Sequence, residues 1–266
     1  MGKLGLLAGE GLLPLEFVRS VKIKGEEVVV FALKGMALPE IEKEADKVYW
    51  LEFGQFARLV FFLLKDRVKK LTFLGKIKKE VIYNKGIYDA GSKTVLKKMK
   101  NKKDYSILRD VTEYLRKIGV EVIDPSPYLV HLFPSAGFIG TVRPDAELES
   151  NIAFGYETAK KVAGMDIGQT VIVKDSAVVA VEAMEGTDAT IARGKDIAGE
   201  GCTMVKVSRP DQDMRWDIPT VGPATMQKLI ENKYKALVIE SGKLFVLDKE
   251  TFSTMADQAG IVVKVV

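Results

Sequence analysis

"LGLLAGEGLLPLEFVRSVKIKGEEVVVFALKG", Leu4 to Gly35, decides the fold of the first half of this chain. "LGLLA" is an apolar run of strand length. "GEGLLPLEFVRSVKIKG" turns and continues as a helix, and "EVVVFALKG" is a β-branched run that reads as a second strand. Strand, helix and strand in succession predict a βαβ unit with parallel strands. The alternation continues outward. "GQFARLVFFLLKDRVKKL" is a helix with an unusually apolar flank, and "KLTFLGKI" is a strand. "YSILRDVTEYLRKIG" carries apolar residues at helical spacing and stops at Gly119. "VEVIDPSPYLV" is a strand ended by Pro125 and Pro127. The expected fold class is α/β, with a Rossmann-like parallel-sheet domain over residues 1–132.

"FPSAGFIGTVRPDAELE" is rich in Gly and Pro and lacks a strong period, so residues 133–147 read as a linker. The texture then changes. "NIAFGYETAKKVAGMDIG" begins as a helix that ends near Gly164. "QTVIVKDSAVVAVEA" is two strands joined by a turn at Lys174–Ser176, and "CTMVKVS" is another strand. "GPATMQKLIENKY" is a helix with Pro223 near its start. "KALVIESGKLFVLDK" gives a strand, a turn at Ser241–Gly242 and a strand. "ETFSTMADQAG" is a helix and "IVVKVV" a final strand. Residues 148–266 are expected to form a mixed α/β domain that carries the catalytic chemistry.

Composition narrows the function classes. The chain has 266 residues, 47% apolar and 29% charged, as soluble globular proteins do. No apolar run approaches the roughly 18–20 residues that span a bilayer. The start lacks a small-residue cleavage site and reads better as a strand than as a signal, so a cytoplasmic location is expected. One cysteine, Cys202, excludes an internal disulfide, and one histidine, His131, excludes the His-rich centres of zinc hydrolases and many two-metal phosphoesterases. Any metal must therefore be held mainly by carboxylates, which favours Mg²⁺ or Mn²⁺. The formal charge is +4, yet basic residues crowd Lys65–Lys103 in "KDRVKK", "KIKK" and "KKMKNKK". A solvated lysine-rich surface is the plain reading. Attraction to an anionic membrane or a polyanionic substrate is the sharper one. No nucleic-acid signature accompanies the lysines, and nucleic acid is not an expected partner.

Three stretches carry candidate chemistry. "AGEGLLP", Ala8–Pro14, places Gly9 and Gly11 after the first strand, where backbone N–H groups can approach a phosphate. Pro14 replaces the third glycine of a dinucleotide fingerprint, and no acid closes the next strand, which argues against NAD. A tight strand-to-helix turn remains the alternative. "VVAVEAMEGTDATIARG", Val178–Gly194, runs from an alternating strand into Glu182, Glu185, Gly186, Thr187, Asp188 and Arg193. Thr187 can donate to a phosphate oxygen, and Arg193 offers a planar cation for the same kind of oxygen. An acidic turn, or Asp188 capping the helix "ATIARG", is the alternative, and Glu182 can face the core instead. "SRPDQDMRWDIPTVGPATM", Ser208–Met226, holds Asp211, Asp213 and Asp217 among Arg209, Gln212 and Arg215, stiffened by Pro210 and Pro219. Its aspartates can gather Mg²⁺ or orient a water, and Thr220, Gly222 and Thr225 lead into a helix start suited to phosphate. A structural Asp/Arg ion-pair loop is the alternative. "FARLVFFLL" reads as a buried helix, with peripheral membrane contact beside the basic segment as the other reading.

Together, "VVAVEAMEGTDATIARG", "MVKVSRPDQDMRWDIPTVGPATM", the tail "ALVIESGKLFVLDKETFSTMADQAGIVV" and the opening "LGLLAGEGLLP" resemble the LpxI-type UDP-2,3-diacylglucosamine pyrophosphatases. The likeness is carried by Gly164–Val266 and the first 20 residues. It implies a Mg²⁺-dependent hydrolase of lipid A synthesis, peripheral to the inner membrane, with its substrate between two domains. Such an enzyme splits UDP-2,3-diacylglucosamine into UMP and 2,3-diacylglucosamine 1-phosphate. The resemblance points to an essential aspartate, matched here by Asp217, with Asp188 next. On this reading Asp188, Asp213 and Asp217 hold Mg²⁺ (or Mn²⁺), with Glu182 and Glu185 as further ligands. Arg193, Lys206 and Arg215 screen phosphate charge. Gly9, Gly11, Gly186, Thr187, Gln212, Thr220, Gly222 and Thr225 line the substrate. A homodimer is compatible with the sequence. A non-catalytic nucleotide-sugar or lipid-binding regulator is the rival function.

Overall fold

The structure is a computed structural model that describes residues 3–77 and 104–266. Most of the lysine-rich stretch, residues 78–103, lies outside the described residues. The chain divides into two compact units. One comprises Met1–Val130 with Met214–Trp216, and the other His131–Asp213 with Asp217–Val266.

In the first unit, β1 (Leu4–Ala8) leads through α1 (Leu13–Ile23) to β2 (Val28–Leu33). The two strands pair in parallel, Leu4 opposite Val28. All six residues of β2 are buried, which is why it reads as an unbroken apolar run rather than an alternating one. A short helix α2 (Ile41–Glu44) precedes β3 (Lys47–Leu51), an element the sequence reading did not identify. Then come α3 (Phe56–Lys65), β4 (Lys70–Leu74), α4 (Asp104–Lys117) and β5 (Glu121–Val122). The five strands form one parallel sheet in the order β3-β2-β1-β4-β5. Leu59 and Leu63 of α3 and Leu115 of α4 join Val29, Phe31, Leu51 and Leu71 in its core. Trp216 packs against that cluster, and its Nε1 donates to Thr112 Oγ1 at 3.1 Å.

The second unit is a three-layer sandwich. Its strands are β6 (Gly137–Ile139), β7 (Thr170–Lys174), β8 (Ala177–Val181), β9 (Thr203–Lys206), β11 (Ala236–Ile239) and β13 (Val262–Val265), in the order β6-β13-β11-β9-β7-β8. Strands β9, β11 and β13 are parallel, while β6, β7 and β8 make antiparallel pairs. The mixed sheet expected for this half is present. Its residues alternate between two cores, as the period of two requires. Ile172, Met204, Leu237 and Val263 face α6 (Thr187–Ala198), α7 (Pro223–Glu231) and α8 (Lys249–Ala259). Val171, Val205, Val238 and Val262 face α5 (Ala146–Gly164). Helix α5 starts earlier than its apolar period suggested, because Asp145 caps it by accepting from the Leu148 N–H at 2.8 Å. Strand β6 lies inside the stretch read as linker, and Asp257 Oδ1 accepts from the Thr141 N–H at 2.6 Å just beyond it. The β7–β8 turn places Asp175 and Ser176 at φ near +50° and +56°, the twist a two-residue hairpin needs. The strand after Ser241–Gly242 is β12 (Phe245–Val246), and it pairs in parallel with β10 (Thr220–Val221).

Candidate active site

Helix α6 follows β8 after only five residues, and Gly186 at φ +85° makes that turn. Thr187 and Asp188 therefore occupy the first turn of α6 rather than a strand end. Gly186 itself is the N-cap, and its carbonyl accepts from the Thr190 N–H at 3.1 Å. Glu185 and Arg193 are spent on bracing this turn. The Arg193 guanidinium pairs with Glu185 Oε1 and donates to the Val181 carbonyl at 2.8 Å. Glu185 Oε2 accepts from the Ala183 N–H at 3.0 Å. The N–H groups of Glu185 and Ala183, together with Arg193, hold its carboxyl below the usual carboxylate range.

Glu182 turns toward a polar cluster rather than the core. Thr187 Oγ1 donates to Glu182 Oε1 at 2.8 Å, and Lys206 Nζ donates to Thr187 Oγ1 at 3.2 Å. Lys206 ends β9, opposite Ile239 of β11 and Thr170 of β7. Glu240, one residue past β11, accepts from the Ser208 N–H at 3.0 Å and from Lys160 Nζ at 2.7 Å. Those bonds fix where the chain leaves β9. The cluster thus sits at the carboxyl ends of two adjacent parallel strands, the edge at which open α/β sheets hold ligands.

Asp217 joins the same edge through Gln169, the residue before β7. Gln169 Nε2 donates to Asp217 Oδ2 at 3.3 Å, and Gln212 Nε2 donates to that same oxygen at 3.0 Å and to the Asp217 carbonyl at 2.5 Å. Arg209 NH1 lies 3.9 Å from Oδ2, while Arg209 Nε lies 3.0 Å from Asp166 Oδ1. Two side-chain amides and a guanidinium thus gather on one carboxylate oxygen. The Gln169 carbonyl accepts from the Val207 N–H at 2.9 Å, so one backbone link ties this cluster to the Lys206 strand. Gly168 is tightly enclosed: a Cβ there would stand 1.9 Å from the Glu182 carbonyl oxygen.

The remaining expected residues are placed as follows. Asp188 is exposed on α6 and stands outside the hydrogen-bonded set. The Asp213 carbonyl accepts from the Asp217 N–H at 3.3 Å. Thr220 Oγ1 donates to the Ile218 carbonyl at 2.9 Å, Gly222 is the N-cap of α7, and Thr225 lies in its first turn. Arg215 belongs to the first unit, its guanidinium 4.8 Å over the Trp216 ring. Gly9 and Gly11 are also in the first unit. The Gly9 N–H donates to the Leu74 carbonyl at 2.8 Å, and Glu10 and Lys76 bridge reciprocally at 2.9 Å. A Cβ on Gly9 would lie 2.6 Å from the Lys76 carbonyl, and one on Gly75 would lie 2.6 Å from the Gly9 backbone. Gly9 thus serves the close approach of the loops after β1 and β4, and Gly11 serves a turn at φ +107°.

The carboxylates expected to gather a divalent cation do not converge. Among the described residues no three His, Cys, Asp or Glu side chains form a cation-holding group. Glu182, Glu185 and Asp217 give oxygens to protein donors. This donor set does not fit a cation held by the protein alone. What the edge offers is a carboxylate held by two side-chain amides, with Lys206 and Arg209 as cations and Thr187 as a hydroxyl. Such a set can orient a water and neutralise phosphoryl oxygens. Gln169, Arg209, Glu240 and Lys160 were not among the expected site residues. The only sequence signal for Gln169 is its place between Gly168 and a strand start.

Family comparison covers nearly the whole chain. The LpxI N-terminal domain matches residues 3–132 and the LpxI C-terminal domain residues 135–264. The UDP-2,3-diacylglucosamine pyrophosphatase LpxI of Caulobacter vibrioides is 30% identical over 276 residues, covering 99% of this chain and 97% of that protein. Solved structures give weak overlaps. The biotin carboxylase domain of a thermophilic 2-oxoglutarate carboxylase aligns with TM-score 0.28 and 13% identity over 65% of this chain and 35% of that one. N5-carboxyaminoimidazole ribonucleotide synthetase of Thermotoga maritima aligns with TM-score 0.23 and 18% identity over 70% and 42%. The chain spans well under half of either, and neither overlap carries an argument.

Proposed function

The chain belongs to the LpxI family, and on that premise we propose that it hydrolyses the pyrophosphate bond of UDP-2,3-diacylglucosamine. Water adds across the P–O–P bridge, and the products are UMP and 2,3-diacylglucosamine 1-phosphate, a step of lipid A biosynthesis. The observation that carries this reading is the named relative, alignable over 99% of the chain, together with the polar edge that Asp217 and Lys206 share.

Asp217 is the residue for the water. Its Oδ2 accepts from Gln169 and Gln212, which fixes the orientation of the carboxylate that would hold and deprotonate a water. Lys206 is held by Thr187 and Arg209 by Asp166, so both cations are fixed before substrate arrives. Preset cations beside the phosphoryl oxygens lower the barrier without reorganising during reaction. Mg²⁺ or Mn²⁺ enters this reading as part of the substrate: on a pyrophosphate it would reduce the charge the protein must offset. We also infer a peripheral place on the cytoplasmic face of the inner membrane, since both acyl chains of the substrate belong in a bilayer. Among the described residues no helix is long and apolar enough to cross one.

The test is release of UMP from UDP-2,3-diacylglucosamine in detergent micelles with Mg²⁺. Absence of UMP with both Mg²⁺ and Mn²⁺, in a protein that still melts cooperatively, defeats the proposal. Ligand-induced stabilisation without turnover favours the non-catalytic regulator instead.

A further inference from the structure

Helix α3 carries a surface that the core of its own unit does not use. Leu59 and Leu63 point inward and are buried, and the Phe62 ring stacks on Tyr49 at 3.9 Å. Phe61 is 60% exposed and Leu64 is 53% exposed. They are three positions apart and therefore neighbours on one helical face. Arg58 and Lys65, three before and four after Phe61, are exposed on that same face. Arg67 and Lys69 follow, exposed, in the turn to β4. Between Gln55 and Lys70 the only acid is Asp66, and it is turned to Lys47 at 2.7 Å with 9% of its side chain exposed. Within Gln55–Lys70, two large apolar side chains thus stand with four outward cations and no outward acid.

We propose that this face of α3 docks on an anionic lipid bilayer. Phe61 and Leu64 enter the boundary between headgroups and acyl chains, and Arg58, Lys65, Arg67 and Lys69 meet headgroup phosphates. The charge pattern chooses this occupant. Long basic side chains lay their methylene stems along an apolar surface and raise their charge to the headgroups. Each such cation near an anionic surface adds an attraction that salt weakens. The inference rests on the pyrophosphatase reading only for why a bilayer is met at all.

The experiment floats the full chain with vesicles of phosphatidylcholine alone or mixed with phosphatidylglycerol. Binding is expected to the mixed vesicles, and to fall as NaCl rises. A Phe61→Trp variant should shift its emission to the blue on the mixed vesicles, after subtraction of the Trp50 and Trp216 signal from the unmodified chain. Phe61→Asp with Leu64→Asp should weaken binding by more than about tenfold, with the melting temperature unchanged because both sites are exposed. Lys65→Glu with Lys69→Glu should do the same on mixed vesicles only. Vesicle binding unchanged in the Asp pair overturns the proposal, and so does failure of the unmodified chain to bind. A change of oligomeric mass in the Asp pair with vesicle binding intact also overturns it, because the face is then a seam between two copies. Turnover in micelles is read separately: its loss in the unmodified chain refutes the pyrophosphatase reading and leaves the docking face standing.

Discussion

Asp217 receives two amide donors on one oxygen and a guanidinium 3.9 Å away. Asp217→Asn should lower kcat by a factor on the order of 10²–10⁴, the range for losing a positioned base. Thermal melting should not move, since Asp217 is 43% exposed in its side chain. Gln169→Ala and Gln212→Ala should each lower kcat by about tenfold with little change in KM, because each frees the carboxylate to rotate. Their double variant should cost less than the product of the single losses, as both act through one oxygen. A Gln169→Ala enzyme with full kcat removes the orienting role. Lys206→Met should lower kcat/KM by about tenfold to a hundredfold, as expected for a charge-assisted hydrogen bond to phosphate. These roles were unequally legible in the sequence. Asp217 stands in a long, specific motif. Gln169 does not, because a glutamine before a strand says nothing about a partner 48 positions away. Glu182 and Glu185 are alike in type and close in sequence, yet one accepts from Thr187, itself held by Lys206, while the other pairs with Arg193.

At the scale of elements, two contacts fix the second unit's sheet, one beside the site and one at its far edge. The first is steric. Gly168 abuts the Glu182 carbonyl, so Gly168→Ala should push β8 from β7 and displace Glu182. The expected cost is about 1–3 kcal/mol of unfolding free energy, as for other overpacked sites, with most turnover lost. Urea unfolding and UMP release measure the two. The second is electrostatic. The Thr141 N–H and side chain, and the Val142 N–H, hold the Asp257 carboxyl below the usual carboxylate range and tie β6 to α8. A carboxyl with a lowered pKa binds fewer protons folded than unfolded. Its stabilisation is full above the unfolded value, near 4, and is lost as pH falls through the folded value. Asp257→Asn should therefore show a smaller drop in urea midpoint between pH 7 and pH 3 than the unmodified chain. An identical drop in both removes Asp257 from the acid response. The long periodic helices and the buried strands β1, β2 and β4 were plain in the sequence. Strand β3 was not, since its edge position leaves Lys47 exposed and Val48, Tyr49 and Trp50 half-buried, which blurs any alternation. Strand β6 hid among Gly and Pro because three residues are too few to set a period.

For the molecule as a whole, the fold class was legible because the two halves differ in rhythm. Continuous apolar strands mark the parallel sheet, and a hairpin with a compact turn marks the mixed one. The metal expectation rested on residue types and on the family resemblance, and neither conveys how the side chains converge. Since no three candidate ligands gather among the described residues, adding Mg²⁺ to the free protein should shift its melting temperature by less than about 1 °C. Chelation should still abolish turnover if the cation travels with the substrate. A large Mg²⁺-induced rise without substrate contradicts this account. The strand order β3-β2-β1-β4-β5 carries a further consequence for how the chain is made. The strand synthesised first is the middle one. At about 5–20 residues per second, "LGLLA" emerges seconds before Lys70–Leu74, its flanking partner, leaves the ribosome. Through that interval a five-residue apolar segment lacks one of its two neighbours, and slower translation upstream of residue 74 should lengthen its exposure and lower the folded yield.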